Sequence, residues 1–245
     1  MGARTIIVTG GSRGIGAAIA RAAAREGCRV VLTYRSDRAA AERLADELGD
    51  AARIAPCDVA DPAQIEAVFA LADGLGPLTG LVNNAGITGG FARVADVSAE
   101  TLRAVFAANV HGAFHAAQLA VRRMSTARGG GGGCIVNISS RAAALGGAGE
   151  WVHYAASKAA VDALTIGLAR EVGGEGIRVN AVSPGLIDTD IHAAAGDPDR
   201  VHRMAGGVPL GRPGLAEEVA DCVMWLLSER SSYVTGAIIP VSGGR

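Results

Sequence analysis

Lysine is nearly absent from this 245-residue chain. Of its 23 basic residues one, Lys158, is a lysine and the rest are arginine. On an open surface the two residues are close to interchangeable. They part where a site needs a compact three-donor ammonium, because a guanidinium is a broad planar fork. Lys158 is either a straggler of an arginine-biased composition or the occupant of such a site. Aromatic residues are also few, at 4%. Ala, Val and Gly must therefore fill the core, which suits close packing of helices on a sheet. Excess charge is lacking too. A net charge of −1 gives no bulk attraction to nucleic acid or an acidic membrane. The four cysteines (Cys28, Cys57, Cys134, Cys222) lie far apart with no CxxC pair. They read as reduced and mostly buried. No apolar run approaches the roughly 18 residues of a membrane span. Met1–Arg4 lead straight into "TIIVTGG" without a signal-peptide pattern. The expectation is a soluble, cytoplasmic protein.

What the chain does have is alternation. Short apolar runs at 5–8, 29–33, 53–56, 80–82, 134–138, 177–182 and 237–240 are separated by Ala-rich, helix-period stretches at 15–26, 39–48, 62–72, 101–127, 154–172 and 216–227. Strand and helix repeated in this way predict right-handed crossovers and a doubly wound α/β fold, with a parallel sheet covered on both faces. No composition break marks a second domain, so residues 1–245 read as one. "RGGGGG" at 128–133 reads as a slack, exposed connection. Residues 188–212 lack a strand pattern and fall between a strand and the last long helix, where a substrate lid could be inserted.

The first strand runs into "TGGSRGIG". Gly10, Gly14 and Gly16 are spaced G-x3-G-x-G. Glycines in a first strand-to-helix turn permit positive φ and close backbone approach to a pyrophosphate, which then meets the unpaired N–H groups of the helix start. The next strand ends at "TYRSD". An NAD site usually places an acid just past that strand to accept from the ribose hydroxyl. Here the residue taken as following the strand is Tyr34, with Arg35 and Ser36 behind it. Arg35, with Arg13 from the turn, offers two guanidiniums to a 2′-phosphate. NADP is the expected cofactor. NAD, with Asp37 on the ribose, is second.

Tyr154 and Lys158 in "YAASK" are at i and i+4, one turn apart on one helix face. A free tyrosine, with a pKa of about 10, is a poor base near neutrality. An adjacent ammonium favours the phenolate and makes proton exchange with a carbonyl or alcohol oxygen workable. In order along the chain come "TGGSRGIG", "NNAG" (83–86), "NISS" (137–140), "YAASK" and "SPG" (183–185). Together they resemble the short-chain dehydrogenase/reductase family, from Thr5 to about Gly244.

The resemblance implies a seven-stranded parallel Rossmann sheet, a nicotinamide cofactor at the carboxyl ends of the strands, and usually a homotetramer. It makes Tyr154 the acid/base, Lys158 the ribose-holding partner, Ser140 the hydroxyl that steadies the substrate oxygen, and Asn109 the fourth member. Asn109 falls inside the 101–127 helix, where its amide would hold a water leading from Lys158 to solvent. Ser139 competes with Ser140. Family members usually place the serine thirteen positions before the tyrosine, whereas Ser140 is fourteen before Tyr154. For the cofactor the resemblance adds Ser12 and Ile15 in the turn, Asp58 and Val59 beside the adenine, and Asn83, Ala85 and Gly86 along the ribose and diphosphate. Pro184, Gly185, Ile187 and Thr189 would hold the nicotinamide.

His111 and His115 are also four apart, but no third ligand follows, so no metal site is expected. His192 is a candidate substrate contact. The sequence thus points to an NADP-dependent oxidoreductase on a small-molecule carbonyl or alcohol, either a sugar dehydrogenase or a 3-oxoacyl-carrier-protein reductase. A silent NADP-binding regulator is the rival outside enzymes.

Overall fold

The computed structural model describes residues 4–245, apart from the side chain of His192. In chain order the elements are β1 (Thr5–Val8), α1 (Gly14–Arg25), β2 (Arg29–Tyr34), α2 (Arg38–Leu48), β3 (Ala52–Pro56), α3 (Pro62–Asp73) and β4 (Leu78–Asn83). There follow α4 (Ala99–Phe106), α5 (Ala113–Met124), β5 (Gly133–Ile138), α6 (Arg141–Leu145), α7 (Val152–Val172), β6 (Ile177–Pro184), α8 (Ile191–Ala194), α9 (Arg200–Met204), α10 (Ala216–Leu227) and β7 (Ile238–Val241). All seven strands are parallel, in the order β3-β2-β1-β4-β5-β6-β7. The chain is one doubly wound domain. The order reverses between β1 and β4, and a ligand crevice opens there beyond the carboxyl ends of the strands.

Strand alternation builds two cores. Ile6, Val8, Val30 and Leu32 face α1, α2 and α10. Ile7, Val31, Leu81 and Ile135 face α3, α5 and the far end of α7. Both faces are buried, so the strands read as unbroken apolar runs. Three of the four cysteines are buried, and all are free thiols.

Two expectations are corrected. The single helix over 101–127 is interrupted. Between α4 and α5, residues Ala107–Gly112 form a π-helical turn. A π turn re-aims side chains within a continuous helix. Here its backbone is pressed against another segment: a Cβ on Gly112 would lie 2.4 Å from the Val59 carbonyl oxygen. The glycine run is not slack. Gly130 and Gly132 donate to the Ser125 and Met124 carbonyls at 2.8 and 2.7 Å. A Cβ on Gly130 would lie 2.4 Å from the Arg123 oxygen. The run closes the end of α5 onto β5.

Candidate active site

The turn after β1 is shaped by its glycines. Gly10 and Gly14 have φ of 62° and 52°, a region that strains any other residue. Gly16 has a steric reason, since a Cβ there would sit 2.3 Å from the Gly10 carbonyl oxygen. Asn84 braces the same turn by donating to the Thr9 and Gly10 carbonyls, both at 2.9 Å. Sequence reasoning chose its neighbour Asn83 and missed it. Asn83 is buried and donates to Ala113 O at 3.1 Å and Asn137 Oδ1 at 2.9 Å. Its amide ties β4 to β5 and α5 and is turned away from the crevice. Successive strand residues point to opposite faces, so the adjacent asparagine took the other role. The N-terminal cap of α1, Arg13, supplies no side-chain acceptor to the helix. That leaves its leading N–H groups open to an anion. Across the groove a Cβ on Gly14 would lie 3.5 Å from Thr189 Cγ2. The turn, Ser12 and Ile15 beside it, and Thr189 opposite, form a cradle that fits a pyrophosphate.

At the end of β2 the structure shifts the reading by one residue. β2 continues through Tyr34, which pairs with Pro56 of β3, and the Tyr34 ring is packed in the core. Tyr34 is therefore a core residue. Arg35 is the first residue past the strand and is exposed with Ser36. Asp37 caps α2, accepting from Ala40 N at 2.9 Å. Asp58 similarly folds back onto Ala60 N at 2.9 Å, at the edge of the sheet beside Val59.

Beyond the strand ends lies a cavity of about 180 Å³. Of the expected residues, Ile15, Gly86, Ser140, Tyr154, Lys158, Pro184, Gly185, Ile187 and Thr189 line it together. Ala85 sits behind it, packed against Gly10. The Ser140 hydroxyl is close enough to the Tyr154 phenol to favour its charged form, and it caps α6 by accepting from Ala142 N at 3.1 Å. Ser139 faces the other way, with Oγ 3.4 Å from the Lys158 carbonyl oxygen and in reach of the Asp162 carboxylate. Lys158 Nζ donates to Ile138 O at 2.7 Å and lies 5.8 Å from the Tyr154 ring centroid. Asn109 is buried in the π-helical turn. Its Nδ2 donates to Ile87 O and Ser157 Oγ, both at 2.9 Å, and its Oδ1 accepts from Ile87 N at 2.8 Å. Both amide hydrogens are spent, so the expected water contact through them is not available. The side chain instead pins the loop after β4 to α7.

The electrostatics also differ from expectation. Burial pushes the Tyr154 phenol up to about 12, with the neighbouring Ser140 hydroxyl pulling the other way. Burial pushes the Lys158 ammonium down to about 8, opposed by the Asp162 carboxylate one turn further along α7. In the free protein desolvation therefore outweighs any help from the lysine, and the phenol holds its proton. Among the described residues no cluster of three His, Cys, Asp or Glu is placed to hold a metal, and no helix is long and apolar enough to cross a membrane.

Residues 10–245 match the family model described as enoyl-(acyl carrier protein) reductase. The chain is 46% identical over 98% of both chains to an uncharacterized oxidoreductase of Escherichia coli K12. It is 40% identical to an L-rhamnose 1-dehydrogenase (NAD(P)(+)) of Azotobacter vinelandii, over 98% of this chain and 96% of that one. Its fold superposes with a TM-score of 0.90, at 38% identity, on a blue fluorescent protein from a metagenomic library solved with NADPH, covering 99% of this chain and 98% of the other. Glycine turn, parallel sheet and these likenesses over nearly the whole length agree: the chain belongs to the short-chain dehydrogenase/reductase family, oxidoreductases acting on CH–OH and C=O groups.

Proposed function

We propose that the protein is an NADP-dependent carbonyl reductase, running the matching alcohol oxidation in reverse, with Tyr154 as acid/base. The observation that carries this reading is the convergence of Tyr154, Ser140 and Lys158 on one cavity that Ile187 and Thr189 also line. A bound nicotinamide supplies or accepts the hydride. The chain's own residues do the rest. Ser140 and Tyr154 together grip the substrate oxygen. The phenol, protonated at neutral pH, gives its proton to that oxygen as the carbonyl carbon is reduced. Lys158, deep beside Gly86, would hold the ribose hydroxyls and stabilise the phenolate left behind. Asn109 acts by fixing the π-helical turn against Ile87 and Ser157.

NADP is preferred over NAD because Arg35 is the first side chain past β2 while Asp37 is committed to its helix cap. Arg13 and Arg35 would fork onto the 2′-phosphate. Residues 188–212, carrying α8 and α9, would cover the substrate. A homotetramer is part of the proposal. It is supported by the exposed small-residue side of α7 (Ala156, Ala159, Ala163, Gly167) and by the 56% exposed Phe114 on α5. The proposed location is cytoplasmic.

The test has two parts. NADPH and NADH are titrated into wild type and Arg35→Ala, and loss of NADPH absorbance is followed against a mixed panel of ketones and aldehydes. NADPH should bind more tightly and be consumed with at least one panel class. Arg35→Ala should weaken NADPH more than NADH, by about 1.5–3 kcal/mol. Tighter wild-type binding of NADH would overturn the cofactor choice.

A further inference from the structure

The substrate end of the cavity is rich in guanidinium. Arg141, Arg200 and Arg245 line it with Lys158, and Glu150 is the one acidic side chain among its described lining residues. Glu150 is already committed, its carboxylate lying 2.5 Å from Arg200 Nη2.

Arg200 comes from α9, in the segment read as a lid. It is 5% exposed. Its guanidinium carbon stands 4.6 Å from the Trp151 ring centroid and 5.8 Å from that of Phe91. Trp151 stacks on Phe91 at 4.9 Å and leans on the Tyr154 ring at 5.5 Å. The cation is thus fixed one aromatic ring away from the phenol. Its Nε is buried without a hydrogen-bond partner. A buried guanidinium N–H without an acceptor is costly, and such a group in a binding cavity invites an acceptor from the ligand. Arg141 spends its Nε on the Arg245 main-chain oxygen at 2.7 Å. Its two terminal amino groups make no hydrogen bond or ion pair among the described residues. The Arg245 guanidinium makes none either.

We infer that the substrate is a carbonyl compound, or the matching alcohol, that carries an oxyanion remote from the reacting carbon, seated between Arg141 and Arg200. Guanidinium matches the planar geometry of carboxylate and the oxygens of phosphate with paired, charge-assisted hydrogen bonds. A neutral ketone leaves those donors unpaired. A site built to hydrogen-bond a group discriminates strongly against analogues that lack it. The inference rests on the reading of this cavity as the substrate site of an oxidoreductase.

The test compares charged and neutral twins: levulinate with methyl levulinate, and dihydroxyacetone phosphate with dihydroxyacetone. Each is titrated by calorimetry into the full chain saturated with NADP+, and each is also assayed with NADPH. In at least one pair the charged twin should bind about tenfold or more tightly than the neutral one, the size expected of a desolvated charge-assisted contact. The pair that responds identifies carboxylate or phosphate. The preference should fall toward unity in Arg141→Gln. It should do so too in the charge-balanced double variant Arg200→Gln/Glu150→Gln, with thermal melting confirming that each variant is folded. Equal affinity of the twins in both pairs, absence of binding included, overturns the inference. So does a preference unchanged in folded Arg141→Gln. A charged-twin preference without NADPH consumption would keep the anion site and sink the hydride-transfer reading. NADPH consumption without such a preference would do the reverse.

Discussion

Replacing Asn109 with alanine removes three hydrogen bonds that pin the loop after β4 to α7. Ile87 loses the partners of both its N–H and its C=O, at 2.8 and 2.9 Å, and Ser157 loses an incoming donor. The Ser157 hydroxyl keeps its own acceptor, the Tyr154 carbonyl at 2.7 Å, so its loss is the smaller. A buried polar group left unpaired costs about 1–3 kcal/mol. Ile87 is only half-buried, and water can take up part of the loss. The sum is about 2–5 kcal/mol, a large share of the roughly 5–15 kcal/mol typical of a native protein. For a chain of this size each kcal/mol moves Tm by about 2–4 °C. Asn109→Ala should therefore melt about 4–20 °C below wild type. Turnover should fall with it, because the π-helical turn borders Lys158 through Gly86, whose Cβ would lie 3.0 Å from Asn109 Oδ1 and 3.5 Å from Lys158 Nζ. Differential scanning calorimetry reads the first quantity and initial rates read the second. A melting point within about 2 °C of wild type would show that these bonds do not anchor the site.

Three further outcomes follow from the same geometry. Lys158→Arg keeps the charge but not the compact ammonium; turnover should fall by roughly 10²-fold or more in a protein that circular dichroism shows to be folded, and near wild-type rates would return the lone lysine to chance. Ser140→Ala should depress turnover far more than Ser139→Ala, since Ser140 is the serine that acts on the phenol while Ser139 is turned toward the Lys158 carbonyl; the reverse order would reassign the serine. Lys158 loses its proton near pH 8 in the free protein, and the ammonium is the form that donates to ribose. NADP+ affinity should therefore be full below about pH 8 and weaken above it, with proton uptake on binding seen by calorimetry in two buffers; affinity that holds constant through that range would contradict the assignment.

The sheet was legible because both of its faces are buried, so every strand appears as an apolar run between turn residues. The Tyr154–Lys158 pair was legible because helical spacing alone places it on one face. Other features depend on contacts distant in sequence. The π-helical turn keeps helix-like residues, and it is set by Val59 and Ile87 packing from elsewhere. Asn84 and Asn83 are chemically identical, and only strand geometry separates the brace of the turn from the tie in the core. Tyr34 looked like a strand-end ligand contact until its pairing with Pro56 placed it in the core. The Arg200–Glu150 pair joins α9 to the residue before Trp151, and no local pattern announces it. Electrostatics were the least readable. Spacing predicts that the ammonium eases the phenol, while burial, visible only in the fold, dominates both groups.

Tyr154→Phe tests the central claim most directly. The substitution removes one oxygen and keeps the ring that leans on Trp151 at 5.5 Å, so the fold and the cofactor cradle remain. The measurement is NADPH consumption with the best carbonyl of the panel, alongside NADPH affinity by fluorescence. Affinity should stay within about twofold of wild type while turnover falls by about 10²–10⁴-fold, the usual worth of a positioned proton donor. A Tyr154→Phe protein that binds NADPH and reduces the carbonyl at near wild-type rate would contradict the assignment of the phenol as the acid.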